Sequence, residues 1–194
     1  MRLFLLIFSL LTTSVQAQAP GQDVEILARG KEAIYKAEFN ITGTSINGFL
    51  AVQHKRNDVL HVQFTSPMGN NLLEIEWKRG KWKKIYATKK LSGKLIFNMM
   101  TEDILLLFAH YQYDNDFEDL GDEWKWNKKT LLPVFESEKL TSVKIIGRRH
   151  HPSKTVKYKL GEDCIDELSI DHQGFPFSIT LEPLKKLQNT DDTD

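Results

Sequence analysis

Residues 49–77 read FLAVQHKRNDVLHVQFTSPMGNNLLEIEW, and this stretch decides the fold. Leu50 and Val52, then Leu60, Val62 and Phe64, recur at every second position in two runs that close on a short loop at residues 56–59. A second loop, Ser66-Pro67-Met68-Gly69, leads into a third run in which Leu73, Ile75 and Trp77 share one face. A period of two is that of a strand with one face buried. Pro67 has no N–H to give to a ladder, and Gly69 tolerates backbone angles that a β-carbon forbids. Met68 between them therefore falls at a turn, where no core residue is expected. It reads either as an apolar side chain placed outside for a purpose or as an ordinary turn residue half-buried.

Working outward, the same alternation continues on both sides. Tyr35, Ala37, Phe39 and Ile41 alternate with Lys36, Glu38, Asn40 and Thr42, and after Gly43-Thr44-Ser45 a second strand begins near Ile46. Past a turn at Arg79-Gly80-Lys81, a fifth strand from Trp82 to Thr88 is expected to carry Trp82, Lys84 and Tyr86 on one face. The period then changes. Thr101 is expected to cap a helix, with Glu102 and Asp103 at its positive end. The run from Ile104 to Ala109 that follows, preceded by Met99 and Met100 and followed by Tyr111, is apolar all round. Such a helix must be buried on most sides.

Residues 114–123 (DNDFEDLGDE) are acidic, but Asp119 stands where a calcium loop starting at Asp114 needs glycine, so a solvated loop is expected. Trp124 and Trp126 share a face, Pro133 reads as part of a connecting segment, and a short helix is expected around 136–140. Further strands follow at Val143 and Ile145, at Val156, Tyr158 and Leu160, and at Leu168 and Ile170. A hairpin turn at His172-Gln173-Gly174 leads to Phe175, Phe177, Ile179 and Leu181. His150 and His151 sit in a basic hairpin tip, Arg148 to Pro152, and point opposite ways on an extended chain, which makes them poor joint metal ligands.

Arg2, the apolar run Leu3 to Leu11 and the small-residue site Val15-Gln16-Ala17 form a secretory signal peptide. Its core is too short for the ~20 residues of a membrane span. Cleavage is expected after Ala17, giving a signal peptide of residues 1–17, one domain over 18–187 and a disordered acidic tail over 188–194. With Arg2 removed, 25 basic groups face 26 acidic ones, a net charge of −1. That balance gives no overall reason to bind nucleic acid or an anionic surface. Cys164 is the only cysteine, so no internal disulfide forms, and it reads as a small buried apolar residue. A monomer without cofactor is expected.

Catalytic patterns are missing. Ser45 lies in Gly43-Thr44-Ser45-Ile46-Asn47-Gly48, whose second glycine falls one place too late for a nucleophile elbow. The histidines are scattered, none at i, i+4 with a glutamate, and no glycine-rich phosphate loop is present. The chain reads as no enzyme, with no catalytic and no metal residues.

A strand ending in Phe64-Thr65-Ser66-Pro67-Met68-Gly69 and followed by Leu72-Leu73-Glu74-Ile75-Glu76-Trp77 resembles the lipoprotein-localisation LolA/LolB family, nearest its LolB branch. The resemblance implies a mainly β (α+β) fold, a curved antiparallel sheet forming a half-open barrel with helices in its mouth. It also implies a periplasmic carrier in a Gram-negative bacterium that shields acyl chains of lipoproteins, or of another lipid, and touches the outer membrane transiently to deliver them. In that reading Phe39, Leu50, Val52, Val62, Phe64, Leu73, Ile75, Trp77, Ile104, Leu105, Phe108, Phe177 and Ile179 line the lipid cavity. Pro67, Met68 and Gly69 form the protruding loop that assists membrane delivery. LolB-type proteins are lipoproteins, whereas no cysteine stands near this cleavage site, so a soluble carrier of the LolA kind is expected. The competing reading is a non-catalytic β-sandwich binding or structural module, in which the same faces meet in a dry core. Periodicity alone does not separate the two.

Overall fold

The computed structural model describes residues 32–55, 59–109, 112, 114, 116–147, 152–161 and 165–184. The signal peptide, the segment up to residue 31, Tyr111, the Arg148–His151 tip, Cys164 and the acidic tail lie outside the described residues.

The first five strands form a meander, β1 (Glu32–Ile41), β2 (Thr44–Lys55), β3 (Val59–Thr65), β4 (Asn71–Lys78) and β5 (Lys81–Ala87). One helix, α1 (Lys94–Leu107), follows. A second meander then runs through β6 (Phe117–Asp119), β7 (Trp124–Trp126), β8 (Lys129–Glu136), β9 (Lys139–Ile146), β10 (Pro152–Leu160), β11 (Ile165–His172) and β12 (Phe177–Pro183). All pairs are antiparallel, and the two meanders join where β12 pairs with β1 from Tyr35↔Pro183 to Ile41↔Phe177. The result is one 12-stranded sheet in the order β5-β4-β3-β2-β1-β12-β11-β10-β9-β8-β7-β6. Its edges are the strands on either side of α1 in sequence. The chain leaves one edge, crosses through the helix and resumes at the other.

That order explains the core. β1 to β4 and β10 to β12 alternate, as the sequence predicts, and their buried faces join one apolar cluster that includes α1. Phe39 and Phe64 meet at a ring-centroid distance of 4.5 Å, and Tyr35 meets Phe108 of the helix end at 5.4 Å. A cleft lined by Trp77 and Trp82 from one end of the sheet and Trp126 from the other also touches Leu105 of α1. Both edges thus face the same helix, which requires the sheet to curl around it. The curved, unclosed antiparallel sheet matches the predicted half-open barrel, with a single helix on its concave side among the described residues.

Gly48 carries a close contact within this curl. A β-carbon there would stand 2.0 Å from the Thr65 carbonyl oxygen and 2.8 Å from the Phe64 ring, so only glycine lets β2 approach β3.

The structure corrects four local expectations. The helix starts at Lys94 behind Gly93, which supplies no side-chain cap, and Thr101 lies inside it. The Thr101 hydroxyl donates to the carbonyls of Phe97 (2.9 Å) and Asn98 (3.1 Å), so the residue is satisfied in mid-helix instead of at a cap. Residues 136–140 form no helix: Ser137 (φ 50°) and Glu138 (φ 66°) make the tight turn between β8 and β9. Two successive positive φ values match the twist of a two-residue hairpin. Pro133 lies within β8, past the three-residue β7 that pairs only with its first residues, so its missing N–H falls where one side has no ladder. Finally, a register shift sets Tyr86 opposite Glu74, while Trp82 and Lys84 oppose Trp77 and Ile75. Tyr86 therefore leaves the face it was expected to share.

Candidate functional site

The helix is the centre of the site. Met100, Ile104, Leu105, Leu106 and Leu107 are buried, as expected of a run apolar on all sides. Tyr158 of β10 donates its hydroxyl to the Leu106 carbonyl at 3.4 Å, and burial raises that phenol's pKa far above its usual value, keeping it a donor. One feature departs from an oily interior. Asp103, 0% exposed, points from mid-helix into the sheet. Its two oxygens accept from Lys154 Nζ at 2.7 Å and contact His172 Nε2 at 2.7 Å. Lys154 also donates to Glu102 at 2.9 Å, and Lys129 pairs with the same Glu102 oxygen.

Two acids of α1 are thus held by β8, β10 and β11. Burial works to raise the Glu102 pKa, but the Lys154 and Lys129 ammonium groups outweigh it and carry the carboxyl below its ordinary value. Burial works to lower Lys154, and the charges of Asp103 and Glu102 carry it above the ordinary lysine value instead. Both groups are therefore charged across the physiological range. The His172 ring stands edge-on to Phe177 with centroids 5.2 Å apart, which fixes its orientation.

Toward β5, Lys84 Nζ stands over the Phe97 ring of α1 at 5.3 Å. A cleft of ≈ 200 Å³ opens between the helix and the sheet edges, lined by Trp77, Gly80, Trp82, Asn98, Thr101, Glu102, Leu105, Asp114, Trp126 and Asn127. Three of the chain's four tryptophans meet there. Its volume is below the ~300–1,000 Å³ of typical small-molecule sites. The concave side is filled by α1 itself.

Every residue assigned to a cavity lining in the sequence lies in the core. None of Phe39, Leu50, Val52, Val62, Phe64, Leu73, Ile75, Trp77, Ile104, Leu105, Phe108, Phe177 and Ile179 exceeds 6% exposure. Trp77 and Leu105 border the cleft. Met68 stands apart, 89% exposed at the tip of the β3–β4 loop. That loop is held by Gly69 N–H to the Ser66 carbonyl (2.8 Å), Ser66 N–H to the Asn70 carbonyl (2.8 Å) and Asn70 N–H to Ser66 Oγ (3.1 Å). Gly69 has φ 82°, a left-handed backbone conformation that a β-carbon disfavours.

Sequence reasoning missed the charge network. Glu102 and Asp103 were assigned to a helix start, where acids are common. The signal that could have found it is Lys154, which lies in line with the core-facing Val156 and Tyr158. Among the described residues, no group of three or more His, Cys, Asp or Glu side chains is placed to hold a metal ion.

No family model and no curated protein matches the chain. Solved structures resemble it in shape. A LolA superfamily protein from Nitrosomonas europaea aligns over 84% of this chain and 88% of its own, with 12% identity and a TM-score of 0.43. A DUF1329 family protein from Desulfovibrio piger aligns over 80% and 85%, with 9% identity and a TM-score of 0.43. A domain from Vibrio parahaemolyticus described as an outer membrane lipoprotein-sorting protein aligns over 84% and 91%, with 10% identity and a TM-score of 0.39.

Proposed function

We propose that this protein is a periplasmic lipid carrier of the LolA/LolB kind, which shields acyl chains of lipoproteins or of another lipid and delivers them to the outer membrane. The observation that carries this reading is α1. A helix whose last turn is apolar all round lies on the open side of an unclosed sheet, where Lys129, Lys154 and His172 hold its Glu102 and Asp103. A permanent core helix has no need of a buried Asp103–Lys154–His172 cluster extended to Glu102 and Lys129, whose desolvation offsets much of its attraction. A plug that must return to one position does.

In this mechanism α1 fills the cavity when no cargo is present. An acyl chain enters along the tryptophan-lined cleft, which Glu102 borders, and takes over the apolar surface that the helix releases. Each CH₂ removed from water contributes ~0.8 kcal/mol. Because the sheet surface is covered before and after, the exchange has a small net free energy, and cargo can be handed on. Met68 leads that handover by entering the bilayer surface.

The smallness of the cleft favours a second reading, the dry β-sandwich module. Native mass spectrometry of the protein purified from a Gram-negative periplasm distinguishes them. Co-purified lipid at stoichiometric occupancy supports the carrier; a protein without lipid that also fails to take up a fluorescent fatty acid supports the module.

A further inference from the structure

One corner of the molecule concentrates what the rest of the surface spreads out. Half of the large apolar side chains that stand exposed among the described residues fall between positions 68 and 95, including Met68, Tyr86 and Leu95. The fold brings them together. Thr88 N–H donates to the Leu72 carbonyl at 2.9 Å, so the β5–α1 link leaves the sheet beside β4, close to the Met68 loop. The link then turns tightly, with Leu91 N–H and Ser92 N–H both donating to the Thr88 carbonyl (3.0 and 2.9 Å) and Ser92 Oγ to the Lys89 carbonyl (3.2 Å). This turn presents Lys89 and Lys90 outward, and Lys94 and Leu95, the latter 62% exposed, open the helix immediately after.

Glu74, opposite Tyr86, is engaged by Asn71 (3.1 Å) and His61 (3.2 Å), and the loops of this corner carry positive charge alone. Across residues 66–71 and 88–95 there are three lysines and no acid, in a chain whose net charge is zero. None of the three lysines forms an ion pair among the described residues. The opposite end of the same strands carries both signs: Lys78, Arg79 and Lys81 flank the β4–β5 turn, where a β-carbon on Gly80 would stand 4.0 Å from an Asp114 carboxylate oxygen. Eight residues of β4, ~26 Å at strand rise, separate the two ends.

We propose that this corner, with Lys89, Lys90 and Lys94 around Met68, Tyr86 and Leu95, docks the protein on the surface of an anionic bilayer. Lysines held beside protruding apolar tips suit a headgroup layer over hydrocarbon. A protein partner would need a contact for each tip, since the tips arise from separate elements. This rests on the carrier reading for its purpose, because it sets the cleft and α1 beside the membrane that receives the cargo.

The test uses the full mature chain with vesicles of phosphatidylcholine, with and without phosphatidylglycerol, in flotation at low and high salt. In parallel, uptake of a fluorescent fatty acid is measured on the same preparations. The parent is expected to float with phosphatidylglycerol vesicles and to lose much of that binding in high salt. The Lys89→Gln/Lys90→Gln/Lys94→Gln variant should bind them roughly a hundredfold more weakly, at about tenfold or less per lysine, while fatty-acid uptake stays at the parental level. A control, Lys78→Gln/Arg79→Gln/Lys81→Gln, removes the same charge at the opposite end and should float like the parent. Equal loss in the control overturns the proposal, as does full binding by the corner variant. A parent that ignores anionic vesicles at every salt also overturns it and leaves the lysines to an acidic protein face. Because uptake is read separately, each of these results leaves the carrier reading standing if the fatty acid is still bound.

Discussion

Met68 and Gly48 show how differently two residues of one hairpin pair can matter. Met68 is almost fully exposed, so Met68→Glu should change stability by no more than about 0.5 kcal/mol, measured by urea unfolding. In the proposed carrier the same variant should take up lipid normally and pass it to liposomes far more slowly, because a charged tip resists entering the bilayer surface. Parental delivery would mark the loop as an ordinary turn. Gly48 is the reverse case. Gly48→Ala forces a β-carbon to within 2.0 Å of the Thr65 carbonyl oxygen, so β2 and β3 must separate. We expect a loss of ~1–3 kcal/mol, the range for overpacking, in the same urea experiment. A neutral result would show that the hairpin opens there freely.

At the scale of elements, the helix and its tether decide behaviour. Removing one partner of a buried, hydrogen-bonded ion pair leaves the other unpaired, so Asp103→Ala should destabilise the fold by ~3–5 kcal/mol. Asp103→Leu/Lys154→Met should recover most of that loss, and a double variant as unstable as the single one would show that the pair is not the cause. The tether also predicts a pH dependence. Glu102 titrates lower in the fold than in the unfolded chain, so its contribution is present above the ordinary glutamate value and disappears as pH falls through the lowered one. Lys154 titrates higher, so its contribution is complete below the ordinary lysine value and is lost as pH rises through the raised one. Stability measured against pH should therefore fall in acid and again in strong alkali, and Glu102→Gln should flatten the acid limb. An unchanged acid limb in that variant would remove Glu102 from the tether.

The same elements show what could be read from the sequence. Alternation placed Tyr35 to Ile41, Leu60 to Phe64 and Phe177 to Leu181 on the buried face, because a strand's period depends only on local geometry. It could not place the helix start, since Thr101 and two following acids imitate a cap while their side chains are used elsewhere. Nor could it see that Lys154, Lys129 and His172 converge on α1, because those pairings span more than twenty residues and depend on the curl of the sheet. The Ser137–Glu138 turn was hidden for another reason: neither residue favours positive φ, and the register of β8 with β9 imposes it.

For the whole molecule, the account rests on α1 giving way to an acyl chain between the two meanders. The ion pairs of α1 go to β8, β10 and β11, while toward β5 Lys84 Nζ stands over the Phe97 ring at 5.3 Å. Processing is part of the same proposal, and intact-mass analysis should find an N-terminus at Gln18 without an acyl group; a diacylglycerol adduct would make it an anchored receptor instead. The most direct test of the central claim uses the tryptophans Trp77, Trp82 and Trp126 around the cleft. Titration with a fatty acid carrying a nitroxide along its chain should quench tryptophan fluorescence saturably, at one chain or a small fixed number per protein. An unlabelled fatty acid should reverse the quenching by competition. Fluorescence that stays constant through the titration, in a folded protein free of co-purified lipid, would contradict the account and identify the concave face as a dry core.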